Sequence, residues 1–167
     1  RKKTSLRSSR YLRIRARRLE LGPRATARLL RIAKRYYAAT KRRLVITGGT
    51  RTARRQAQLM YGKLAAGENI KRLYSAIPVR EIIKRYRDGK KKKLSRRRIV
   101  QNMRDTIRKQ MKRGIFISRH LQAGAADVRS RGMSRRQFVA FRRAVAREPG
   151  VILIDERRTS QPHLHLS

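Results

Sequence analysis

Apolar residues fall at helical spacing in four stretches of this chain. Between Ala25 and Ala39, Leu29, Leu30, Ala33, Tyr36 and Tyr37 share a face. From Ala53 to Ala66 the face is Ala57, Met60, Tyr61 and Leu64. After Ser95, which reads as an N-cap, it is Val100, Met103, Ile107 and Met111, and Gly114 closes that helix. Ser134 caps a fourth helix with Phe138, Phe141 and Val145 inward, broken by Pro149-Gly150. Short apolar runs predict strands at Leu44–Thr47, Ala126–Val128, Val151–Ile154 and His163–Leu166. Ile115–Ile117 reads as extended, Gly48-Gly49 as a turn, and the lysine run after Gly89 as a loop. No internal repeat is visible. The irregular mixture predicts an α+β fold, a small antiparallel sheet with flanking helices.

Charge changes this picture most. The 167 residues hold 49 Lys and Arg against nine acids, a net charge of +40. An imbalance of this size predicts binding to a polyanion, either nucleic acid or an anionic envelope polymer. Residues 1–43 carry 17 Lys/Arg with only Glu20 as an acid; residues 84–113 carry 15 with two acids. These two segments are the expected contacts. Residues 1–22 read as a basic arm that need not be ordered. The remainder, 23–167, reads as one domain with a basic helical insertion at about 79–113.

Composition also excludes several classes. Without cysteine there is no disulfide, thiol nucleophile or Cys-bound zinc. No apolar run approaches the roughly 18 residues of a membrane span, and no secretory signal is visible. Aromatics are 5% of the chain and Trp is absent, which leaves little for stacking bases. Neither a zinc finger nor an RNA-recognition signature is present, so nucleic-acid contact is expected to be with backbone and shape. Mutual repulsion argues against a close homo-oligomer.

The three histidines are His120, His163 and His165. His and Asp are zinc ligands, and three protein ligands plus water is the catalytic zinc pattern. Residues two apart in a strand share a face, so His163 and His165 can enter one site. Ser118-x-His120-x3-Gly124-x2-Asp127, with His163-x-His165 late in the chain, resembles the zinc signature of the D-alanyl-D-alanine carboxypeptidase family. That family lies within the lysostaphin-type/D-Ala-D-Ala metallopeptidase superfamily of cell-wall peptidases and phage endolysins. Ile46-Thr47-Gly48-Gly49-Thr50-Arg51-Thr52 looks like its strand followed by Ser-Gly-Tyr-Arg-Thr, with Gln56 on the next helix. The resemblance spans about residues 25–167. Gly49-Thr50 in place of Gly-Tyr is a departure, as is the lack of an acid in the four residues before His165.

The resemblance implies Zn2+ held by His120, Asp127 and His165, with His163 beside the metal-bound water. It places Arg51 at the substrate carboxylate or carbonyl and Ser118 in support of the ligands. The proton carrier is then His163 or an acid at the end of the preceding strand, Asp155 or Glu156. The implied activity is hydrolysis of peptidoglycan peptides, as carboxypeptidase or endopeptidase, in a virion or at the bacterial envelope. The alternative is a nucleic-acid-binding structural protein, virion or ribosome-like, on a peptidase-like fold with a vestigial site. A membrane-surface peptide is a weaker third reading, because the basic helices lack a broad apolar face.

Overall fold

A computed structural model describes residues 4–17, 19–74, 76–159 and 162–167. The fold is α+β, with five helices and a five-stranded, mostly antiparallel sheet among these residues. The chain divides into two compact units. Unit 1 is Arg1–Thr50 together with Ala123–Ser167, and unit 2 is the intervening Arg51–Gln122.

Unit 1 contains every described strand. Strands β1 (Thr4–Ser5) and β3 (Glu20–Leu21) pair antiparallel as a small ribbon. The main sheet runs β2 (Leu12–Ile14), β4 (Leu44–Gly48), β5 (Ala126–Val128), β7 (Leu164–Leu166), β6 (Leu153–Asp155). Only β2 and β4 are parallel. The segment expected as a basic arm therefore carries three strands in its described residues. Its alternation explains this: Leu12, Leu19 and Leu21 are buried while Arg13, Arg15 and Arg17 are exposed.

Helix α1 (Pro23–Thr40) starts two residues earlier than the periodicity indicates, because Pro23 has a preset φ and no N–H to leave unpaired. It buries Leu29, Ile32, Ala33 and Tyr36. Of the two others expected inward, Leu30 packs only at the margin of the core, and Tyr37 is half-buried, edge-on to Tyr11. Helix α5 (Arg135–Ala146) begins at a reciprocal capping box between Ser134 and Gln137. It brings Phe141 edge-on to Tyr36, with ring centroids 6.3 Å apart. The expected strand at Val151–Ile154 is shifted to Leu153–Asp155 and forms the sheet edge, leaving Ile152 and Ile154 exposed.

Unit 2 has its own core. Helix α2 (Ala53–Ala65) starts at Thr52, whose side chain accepts from Arg55 N. Helices α3 (Ala76–Lys91) and α4 (Arg96–Lys112) form a hairpin. Ala57, Met60, Val79, Ile82, Ile99, Met103 and Ile107 meet inside. Val100 and Met111 only flank this core.

The lysine run, expected as a loop, is divided between helix and turn: Lys92 and Lys93 lie in the turn. Lys90 and Lys91 end α3, and the turn is closed by Leu94 N to Gly89 O (2.9 Å) and Lys93 N to Lys90 O (3.0 Å). Lys93 has φ +51, a conformation glycine adopts without a Cβ clash. Gly89 lies inside α3 because a Cβ there would be 2.6 Å from Ile99 Cγ1. Ile115–Ile117, expected as extended, forms no strand.

Glu148, just beyond α5, is buried and ties α1 to that end of unit 1. Arg31 Nε and Nη2 reach its carboxylate at 2.9 and 2.8 Å, and Arg35 Nη1 also donates to it. Hydrogen bonds from Arg31, joined by Arg35 and opposed by burial, hold the Glu148 carboxyl at about 2, below its ordinary 4.5. A depressed carboxyl stabilises the fold above its unfolded value, and that contribution disappears as pH falls from 4.5 toward 2. Urea unfolding of Glu148→Gln should therefore show a lower midpoint than the parent at roughly pH 6, with the gap closing toward pH 2. A gap independent of pH would refute the ion-pair account.

Candidate metal centre

Register in unit 1 builds the cluster. Strand β5 lies between β4 and β7, and Asp127 is paired with Gly48 on one side and His165 on the other. Ala126 and Val128 point to the opposite face and enter the core with Leu164 and Leu166. Asp127 and His165 must then share the other face. A register shift between Ile46 and Gly48 adds Thr47 to β4 and brings Gly48 opposite Asp127. A Cβ on Gly48 would fall 2.1 Å from Asp127 Oδ2, so only glycine leaves room for that carboxylate.

The side chains converge on one carboxylate oxygen. Asp127 Oδ1 is 3.0 Å from His165 Nδ1 and 3.3 Å from His163 Nε2. His163 Nε2 is 3.6 Å from Glu156 Oε1. Glu156 continues the β6–β7 pairing beyond the strand, its N–H donating to His163 O at 3.1 Å. One ligand atom each from Glu156, His163 and His165 lies within 4.8 Å of the others. Asp127 and Glu156 are buried, and the two histidines are about one-tenth exposed, at 12% and 11%.

Of the two acids at the end of β6, Asp155 and Glu156, only Glu156 stands at the histidines. Asp155 is on the exposed side, where Arg157 donates from Nε at 2.8 Å and from Nη2 at 2.6 Å. These bonds hold its carboxyl below the ordinary range. Strand alternation separates the two acids, since adjacent residues face opposite ways.

His120 and Arg51 belong to unit 2. His120 is buried in the 3-10 turn Arg119–Gln122, where its backbone N–H reaches Ser118 Oγ at 3.4 Å. Arg51 N donates to His120 O at 3.1 Å, and Arg51 Nη1 to Gln56 Oε1 at 3.3 Å. The sequence elements Ser118-x-His120 and Arg51…Gln56 are thus each joined by hydrogen bonds inside one unit.

Buried His, Asp and Glu groups of this kind can hold a metal ion. The donors are imidazole nitrogen and carboxylate oxygen, a set that suits zinc and other first-row divalent ions. Two carboxylates supply two negative charges, the complement of a divalent ion. The pocket left by Gly48 lets the Asp127 carboxylate stand beside both histidines. Gly48 was read from sequence as part of a turn; a glycine at the end of a strand is the signal for close approach instead. If the cluster holds a divalent ion, Gly48→Ala should displace the Asp127 carboxylate and weaken retention of that ion about 10- to 100-fold, the usual effect of disturbing a ligand's support. Metal competition with a chromophoric chelator measures it; undiminished retention would remove Asp127 from the ligand set.

Comparison with family models, with curated proteins and with solved structures finds no match for this chain.

Proposed function

We propose that the chain is a zinc-dependent peptide hydrolase acting on peptidoglycan peptides. The observation that carries this reading is the convergence of Asp127, Glu156, His163 and His165. A protein with 49 cations and nine acids places two of those acids and two of its three histidines together. Such a concentration of ligand-type groups is poorly suited to a purely solvated surface.

In this reading Asp127 and His165 are metal ligands, and the motif Ser118-x-His120…Asp127 adds His120 to the set. When bound, zinc would polarise the scissile carbonyl as a Lewis acid and lower the pKa of a water toward about 7. The Asp127 and Glu156 carboxylates both lie against one nitrogen of His163, Nε2. His163 and Glu156 hold the proton taken from the attacking water and deliver it to the leaving amine. Arg51 is braced by Gln56 and holds the substrate's carboxylate or carbonyl, as a planar guanidinium does bidentately.

The polybasic surface binds an anionic polymer and keeps the enzyme near its substrate, in a virion or at the bacterial envelope. Among the described residues no helix is long and apolar enough to cross a membrane. The net charge of +40 favours a second reading, a nucleic-acid-binding structural protein with a vestigial site. Elemental analysis after removal of nucleic acid in high salt separates the two. The hydrolase reading expects about one zinc per chain, its loss in His165→Ala and in His120→Ala, and zinc-dependent cleavage of muropeptides. Parent protein without zinc, or loaded protein that cleaves no muropeptide, would leave the structural reading.

A further inference from the structure

We propose that the tip of the α3–α4 hairpin is a docking element for the phosphate backbone of double-stranded nucleic acid. It goes beyond the hydrolase reading and does not depend on it.

Lys90 to Lys93 and Arg96 to Arg98 place seven cations in nine consecutive residues, and all seven are exposed. No acid lies between Asp88 and Asp105. Down the outer side of α3, Arg80, Lys84, Arg87 and Lys91 are exposed at spacings of four, three and four, which is one helical face. At 1.5 Å per residue this stripe extends about 16 Å from the tip. Its opposite face, Val79, Ile82 and Ile83, is buried in the unit 2 core, so the cations are held outward by packing.

The tip is also braced. Gly89 admits Ile99 at a distance that a Cβ would forbid, which brings the two helices together just below the turn. Leu94 is packed against the core and Arg96 lies over the Tyr61 ring, 5.4 Å from its centroid. Concentrating like charges on a fixed scaffold is unfavourable for the isolated protein. A ligand with dense negative charge relieves that repulsion.

The chemistry selects among polyanions. Duplex DNA presents about one charge per 1.7 Å of axis, enough to engage a short rigid row of cations. Single strands are bound largely by stacking on aromatics, and this tip has none; Tyr61 and Tyr86 face one another, with centroids 5.4 Å apart, against the core. A lipid surface requires an apolar face beneath the charges, and the tip's one large apolar side chain, Leu94, packs against the core.

The test compares two variants of equal net charge. One is Lys91→Gln/Lys92→Gln/Arg97→Gln/Arg98→Gln; the other removes four exposed arginines of the α5 region, Arg135, Arg136, Arg143 and Arg147, also to Gln. Binding to a short mixed-sequence DNA duplex is followed by fluorescence anisotropy from roughly 50 to 200 mM salt. Thermal melting confirms that each variant is folded. The hairpin variant is expected to lower the salt-dependence slope by about 3 to 4, because each lost phosphate contact removes about 0.9. The α5 variant should lower it by less than about 1. Equal losses in both variants would overturn the proposal, showing net charge alone at work. It is equally overturned if a single strand of the same sequence, or phosphatidylserine vesicles, bind more tightly with the same dependence on the hairpin. Zinc content is measured on the same preparations, so failure of either reading is seen separately.

Discussion

The register of β5 between β4 and β7 is the constraint on which the candidate centre depends. Strand β5 is three residues long, and its alternation does two jobs. Ala126 and Val128 complete the hydrophobic core with Leu164 and Leu166, while Asp127 faces the other way toward His165. A slip of one residue would put the carboxylate into the core and an apolar side chain among the histidines. Burial of four apolar side chains therefore enforces the position of one acid. The bulge at Thr47 and the missing side chain at Gly48 make the third strand compatible with that arrangement.

Scarcity of acids shapes the rest of the molecule. With nine acids, each carboxylate has a large effect on its surroundings. Glu148 is shared by Arg31 and Arg35 where α1 passes the end of α5, and its buried position makes that ion cluster a determinant of acid stability. Glu68 meets the buried Lys63 at 3.4 Å in unit 2. Asp127 and Glu156 are instead placed with histidines. Most cations are left at the surface, where repulsion is weakened by salt and by bound polyanions.

The two units reach stability by different means. Unit 1 closes a sheet with two helices, and its strands come from both ends of the chain. Unit 2 is a continuous helical segment whose contacts are local, and its α3–α4 turn is tight because Gly89 and Lys93 take unusual backbone roles. Dense positive charge at such a turn requires packing beneath it, which Val79, Ile82 and Ile99 provide.

Periodicity alone was enough to place α1, α2, α4 and α5, since an amphipathic stripe and a capping residue are local properties. The same holds for the α+β class and for the candidate residues, which stand out by type in a chain so rich in Lys and Arg. Tertiary structure decided what depends on pairing. Among the described residues of the first 22, β2 forms because β4 accepts its pairing, and β1 and β3 form by pairing with each other across the intervening chain. The choice of Glu156 over Asp155 follows from the pleat of β6 and the adjacent Arg157. The role of Gly48 follows from a neighbour 79 residues away, Asp127. Local sequence sets which conformations each segment favours; long-range register and burial set which side chains face one another.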